Sequence, residues 1–144
     1  MGIWVIGVNH HRAPAMVRSQ WAFSPTQQAD FLQYFVTHIQ PQFPDSGLYL
    51  LSTCNRSEIY GAHFPPQLIY DYLKKTRQLI APSHHDFYFE NQEAIRHLLR
   101  VASGLDSLVL GETQILGQVK NAFQLAQDHQ TLNPIMHRAL QTAL

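Results

Sequence analysis

The chemistry open to this sequence centres on one thiol. Cys54 is the only cysteine among 144 residues, and it lies within Leu50-Leu51-Ser52-Thr53-Cys54-Asn55-Arg56-Ser57-Glu58. The apolar run Leu48–Leu51 delivers it to a strand end, where a polar turn takes over. Arg56 follows two residues later, and Thr53, Asn55 and Ser57 add short hydrogen-bonding groups. A thiol, a cation and several small polar side chains at a strand end form a candidate nucleophilic centre. A thiol of ordinary pKa, about 8.5, is mostly protonated at neutral pH, and a neighbouring guanidinium favours the reactive anion. Two bland readings stand beside this one. Free cysteine is among the most buried residue types and often acts as a small hydrophobe, and Arg56 read alone is a surface charge.

The rest of the composition narrows the options. Lys plus Arg and Asp plus Glu number ten each, giving a formal net charge of zero. A domain devoted to gripping a phosphate backbone usually carries a basic excess, so only local contact with a nucleic-acid end is left open. One cysteine makes neither an internal disulfide nor a cysteine-rich zinc site. The nine histidines are scattered, and His10-His11 and His84-His85 are adjacent pairs whose side chains diverge on a helix or strand. No metal site is expected. The start, Met1 to Gly7, lacks the basic region and length of a signal or membrane segment, so the chain reads as cytoplasmic.

The elements that would position the thiol follow from periodicity. Ile3–Val8 is a short apolar, β-rich run that reads as a buried strand. After a polar loop from Asn9 to Pro14, Ser24-Pro25-Thr26-Gln27 combines an N-cap serine, an N1 proline and a capping-box glutamine. The helix it opens runs to about Ile39, with Phe31, Leu32, Phe35, Val36 and Ile39 on one face. Gly47–Ser52 and Glu58–His63 read as strands flanking the Cys54 turn. Pro65-Pro66 opens a helix whose apolar face is Leu68, Ile69, Tyr72, Leu73 and Ile80, and Phe87–Phe89 reads as an aromatic strand. That order predicts an α+β fold with a ferredoxin-like β-α-β-β-α-β core. Helices follow: one from Asn91 with Ala94, Ile95, Leu98, Leu99 and Ala102, one opened by Glu112 with Ile115, Val119, Ala122, Phe123 and Ala126, and one with Ile135, Met136, Ala139, Leu140 and Ala143. The last pattern reaches Leu144 with no glycine or proline stop, which reads as a cut within a helix.

Three blocks together resemble glutamyl-tRNA reductase: Gly7-Val8-Asn9-His10-His11-Arg12-Ala13-Pro14, then Ser52-Thr53-Cys54-Asn55-Arg56-Ser57-Glu58, then the long run from His97 to Lys120. The resemblance spans the chain and implies the N-terminal catalytic domain, residues 1–144, of a longer enzyme. Two departures stand out. Thr113 occupies a position where the family usually has proline, and Arg18-Ser19-Gln20 replaces an Arg-Glu-Arg run. Neither touches the cysteine motif.

The resemblance implies a reaction and assigns residues to it. The cysteine attacks the glutamyl ester of tRNA(Glu) to form a thioester, which is more electrophilic than the ester. NADPH then reduces the thioester to glutamate 1-semialdehyde, the first step of tetrapyrrole synthesis. Cys54 is the implied nucleophile, and His97 the implied proton donor or orienting group. Read alone, His97 among Ile95, Leu98 and Leu99 is a partly buried structural histidine. Thr53, Asn55, Arg56, Ser107, Glu112, Thr113, Gln114 and Gln118 are the implied substrate-binding residues. Arg56 is preferred as a clamp for the free glutamyl carboxylate over activation of the thiol. The sequence carries no G-x-G-x-x-G between a strand and a helix, so the NADPH site is expected beyond Leu144, followed by a dimerisation domain. By itself the chain is then expected to form and slowly hydrolyse the thioester without reducing it. The family also implies glutamate-1-semialdehyde aminomutase as a partner. Two other classes stay open: a cysteine-dependent acyl hydrolase or transferase, and a non-catalytic tRNA-binding or regulatory module.

Overall fold

The structure, a computed structural model, describes residues 2–104 and 114–144. Four antiparallel strands are ordered β2-β3-β1-β4: β1 (Ile3–Asn9), β2 (Gly47–Ser52), β3 (Arg56–Ala62) and β4 (Phe87–Glu90). Helices α1 (Ala15–Trp21) and α2 (Pro25–Tyr34) connect β1 to β2, and α3 (Gln67–Arg77) connects β3 to β4. Each crossover returns to the sheet one strand away, with an antiparallel strand between. This is the split β-α-β arrangement expected of a ferredoxin-like core. Helices α4 (Gln92–Ala102), α5 (Ile115–Asp128) and α6 (Pro134–Ala143) follow.

Both faces of the sheet are covered. Trp4, Ile6, Val8, Leu48, Leu50 and Ile59 pack with Trp21, Phe31, Leu32, Phe35, Ile69 and Leu73 on one side. Ile3, Val5, Tyr49, Leu51, Tyr60 and Phe87 pack with Ala94, Leu98, Val101, Ile115, Val119 and Met136 on the other. Every residue of β1 and β3 is therefore buried. A strand buried on both faces reads as a continuous apolar run rather than as alternation, and that is how β1 reads. The second layer is also pinned by polar contacts. The Tyr49 hydroxyl donates to the Val119 carbonyl at 3.1 Å. The Thr131 carbonyl accepts from the Leu48 N–H, and the Thr131 hydroxyl donates back to the Leu48 carbonyl, both at 2.8 Å.

Local signals explain the starts of two helices. Ser24 accepts from Gln27 N while Gln27 Oε1 accepts from Ser24 N, the reciprocal box that starts α2. Asn133 caps α6 through Met136 N at 2.8 Å. At Gly7 the strands approach so closely that a Cβ would collide with the Ser57 carbonyl and lie 2.9 Å from Glu58 Cα.

Several expectations are corrected. The helix expected to run unbroken to Ile39 changes at Phe35–Ile39 into a π-turn, where Gln40 N reaches the Phe35 carbonyl at 2.9 Å. Ile80 does not share the α3 face. The helix ends at left-handed Gln78 (φ 56°), leaving Ile80 81% exposed, and Tyr70 joins Ile69 and Leu73 in the buried set. Leu99 and Ile135 also point outward. Helix α1 lies where no helix was expected, because seven residues with only Val17 and Trp21 packed inward are too few to show a period. Strand β3 begins at Arg56, two residues before the expected Glu58.

Candidate active site

The earlier start of β3 decides the geometry of the site. Thr53 N bonds the Arg56 carbonyl at 2.7 Å, closing a tight turn with Cys54 and Asn55 at its tip. Thr53 Oγ1 accepts from Asn55 N and Arg56 N, both at 3.2 Å, so the threonine side chain shapes the turn from inside. Ser52 Oγ accepts from Phe23 N and meets Ser57 Oγ, each at 3.0 Å, which fixes the strand ends to the linker before α2. Cys54 is exposed at the tip, so the reading of a buried hydrophobe does not hold. Asn55 Nδ2 is buried with no hydrogen-bond partner among the described residues. An unsatisfied buried amide typically costs about 1–3 kcal/mol.

Arg56 is the opposite of a surface charge. It sits in the sheet opposite Asn9 with its side chain fully buried. Arg56, Glu58 and Tyr60 alternate along β3 and so share the face that meets α4–α6. Arg56 NH1 donates to Glu58 Oε2 at 3.0 Å. His97 Nε2 lies 2.8 Å from that same oxygen, and the Tyr60 hydroxyl donates to Oε1 at 2.8 Å. The imidazole lies 5.0 Å from the Phe87 ring and 5.3 Å from the Phe89 ring. Helix α4 therefore hangs its histidine on a carboxylate that β3 presents.

The charge states follow from these contacts. Burial pushes the Glu58 carboxyl up, but the hydrogen bond and charge of His97, the Arg56 guanidinium and the Tyr60 hydroxyl together outweigh it, and its pKa falls below the usual glutamate value. Burial and then the Glu58 charge raise Tyr60 far above the usual tyrosine range, and the same two causes raise Tyr49. Glu58 is therefore ionised at neutral pH and can only accept. The His97 nitrogen facing it, Nε2, must then carry a proton, which leaves Nδ1 to face any other partner.

Cys54, Thr53, Asn55 and Arg56 thus cluster at one sheet end, and Glu58 joins them to His97 from 39 residues away. Glu58 and Tyr60 were absent from the residues expected at the site. Their signal was the spacing Arg56, Glu58, Tyr60, which puts two charges on one face of a strand. Gln114 is exposed just before α5 and Gln118 half-buried one turn later. No hydrogen bond ties either side chain to this cluster among the described residues. Ser107, Glu112 and Thr113 lie outside the described residues. Among the described residues, no three His, Cys, Asp or Glu side chains could together hold a metal ion, and no helix is long and apolar enough to cross a membrane.

Comparison with known proteins identifies the family. Residues 6–144 match the family model described as glutamyl-tRNAGlu reductase, N-terminal domain. Glutamyl-tRNA reductase of Aromatoleum aromaticum is 41% identical over 143 residues, covering 98% of this chain and 33% of the relative. That of a Synechococcus species is 41% identical over 150 residues, covering 100% and 33%. The solved glutamyl-tRNA reductase from Methanopyrus kandleri superposes with a TM-score of 0.72 at 29% identity, covering 99% of this chain and 32% of that one. The chain thus spans about a third of the length of the relatives it matches. A match across residues 6–144, together with the fold shared with the solved reductase, leads to one conclusion: this chain belongs to the glutamyl-tRNA reductase N-terminal domain family.

Proposed function

We propose that this chain is the acyl-accepting domain of a glutamyl-tRNA reductase, with Cys54 as the nucleophile. The observation that carries the reading is the exposed thiol on a rigid turn beside the buried Arg56–Glu58–His97 group. The Cys54 thiolate attacks the glutamyl ester carbon, a C–S bond forms, and the C–O bond to the terminal ribose breaks. His97 Nδ1, which carries no proton while Nε2–H is held by Glu58, accepts the proton of the Cys54 thiol and returns it to the departing ribose oxygen. Asn55 Nδ2 and the turn's backbone supply donors toward the developing oxyanion.

Arg56 takes the side-chain carboxylate of the glutamyl group. Its burial makes that pairing a desolvated one, where planar two-point contact separates a carboxylate from an amide most sharply. Ser107, Glu112, Thr113, Gln114 and Gln118 are assigned to the glutamyl and terminal adenosine groups on the family resemblance.

Among the described residues, neighbouring strands are antiparallel, whereas a pyrophosphate is usually seated at the first turn of a parallel β-α-β unit. We therefore place NADPH binding and hydride transfer in the part of the protein beyond residue 144 and derive no step through the cofactor here.

Mixing the protein with glutamyl-tRNA carrying radiolabelled glutamate tests the reading. The wild type is expected to form a covalent glutamyl adduct and Cys54→Ser none. An adduct of equal yield on Cys54→Ser would remove Cys54 from its role.

A further inference from the structure

Beside His97, helix α4 and the edge strand β4 enclose an open groove of about 320 Å³, lined by Phe89, Glu93, Arg96, His97 and Arg100. The four helical residues fall at i, i+3, i+4 and i+7, a single stripe along α4. Arg96 and Arg100 are exposed, and neither makes a salt bridge or side-chain hydrogen bond to the described residues. Phe89 is half-buried, stacked on Phe87 at 5.1 Å with 26° between the planes. At the other end of the aromatic pair, Arg12 lies over the Phe87 ring at 5.9 Å. His97 belongs both to this groove and, through Nε2, to the buried carboxylate behind Cys54. Glu93 is the one acid lining the groove among the described residues.

Cations interleaved with aromatic faces are the pattern that binds single-stranded nucleic acid, phosphates on the guanidiniums and bases on the rings. We propose that this groove seats the single-stranded 3′ end of the RNA that carries the acyl group. Arg96 and Arg100 hold its last phosphates and Phe89 stacks a base that precedes the terminal adenosine, while Glu93 faces ribose hydroxyls. This rests on the acyl-transfer reading above and gives it a direction of approach, with the nucleotide entering past α4 and the ester lying between His97 and Cys54. It also reconciles a neutral chain with a polyanionic substrate, because a few charges in one groove suffice for a strand end.

The test is fluorescence anisotropy of this chain with a 5′-labelled RNA hairpin ending in a four-nucleotide 3′ overhang, uncharged, across a salt series. Arg96→Gln/Arg100→Gln should weaken binding at least ten-fold. It should also flatten the slope of log K against log salt by roughly 1.4, about 0.7 for each single-strand phosphate that is no longer neutralised. Phe89→Leu should weaken binding about ten-fold with the slope unchanged. A blunt hairpin and free AMP should compete poorly. Both arginines are exposed, so thermal unfolding of the double variant should match wild type. Failure of the wild type to bind, equal binding of the blunt hairpin, or unchanged affinity and slope in the double variant would overturn the proposal. The Cys54 adduct separates the two readings. An adduct together with unchanged binding in the double variant defeats the groove alone, whereas arginine-dependent binding with no adduct defeats the acyl chemistry alone.

Discussion

Replacing Glu58 with glutamine takes one negative charge out of a site closed to solvent. Oε2 accepts from both Arg56 and His97, and Oε1 from Tyr60. Glutamine can keep this geometry by placing its oxygen at the Oε2 position and turning its amide toward the Tyr60 oxygen, which can accept. The hydrogen bonds then survive and the loss is mainly electrostatic, because a fully buried guanidinium loses the charge of the Glu58 carboxylate. Breaking one side of a buried pair costs about 3–5 kcal/mol, and retained hydrogen bonds argue for the lower end, about 3 kcal/mol. At this chain length that corresponds to a fall in Tm of roughly 10 °C. The pH dependence supplies a sharper signature. Glu58 has its folded pKa below the unfolded value of about 4.5, so the native state binds fewer protons than the unfolded chain. Its contribution is fully present above about pH 4.5 and is lost as pH falls through the lower folded value. Thermal scans from pH 3 to pH 8 should show the two proteins far apart at neutral pH and converging in acid. A Tm within 2 °C of wild type at pH 7, or a gap that does not narrow in acid, would refute the claim that these three residues form a buried charge network.

Three further outcomes follow from the same contacts. Tyr60→Phe removes the hydroxyl that donates to Glu58 Oε1. It should cost about 1.5 kcal/mol and move the acid-unfolding limb to higher pH, measured by circular dichroism. Arg56→Lys keeps the charge but loses the planar fork, so discrimination between RNAs charged with glutamate and with glutamine should fall about ten-fold or more in adduct formation. Ser24→Ala removes half of the α2 capping box. It should lower Tm by about 3 °C, for a loss near 1 kcal/mol, without changing adduct yield.

Short-range chemistry was the part of the fold that could be read from sequence. Ser24-Pro25-Thr26-Gln27 marks a helix start because the cap and its partner lie three residues apart, and Gly47–Ser52 matches its strand to the residue. Helix α1 was missed because seven residues cannot display a period, and its contacts lie across the sheet face. Ile80 was misplaced because apolar spacing cannot reveal that the backbone turns left-handed at Gln78. The site divides along the same line. Cys54 and Arg56 stand together in sequence, whereas Glu58 is a charged residue with no local sign of burial. What covers it is a histidine 39 residues later, on a helix that packs against the same side of the sheet. Arg56 illustrates the limit most clearly. Its type and neighbours suit a surface turn, and only the pairing of Asn9 with Arg56 draws it into the sheet.

The covering of the sheet on both faces has a consequence for how the site can come apart. Cys54 is shaped by contacts within the β2–β3 hairpin and to the linker before α2, whereas His97 arrives with the second helical layer. The two can therefore be uncoupled by a local opening that lifts α4 without unfolding the hairpin. In such an opened state the turn that carries the thiol keeps its shape while the contact of His97 with Glu58 is lost. The hydroxyl of Tyr49 on Val119 and the two-way clasp of Thr131 on Leu48 fasten α5 and the segment that follows it to β2, so they hold the rest of the second layer in place while α4 moves.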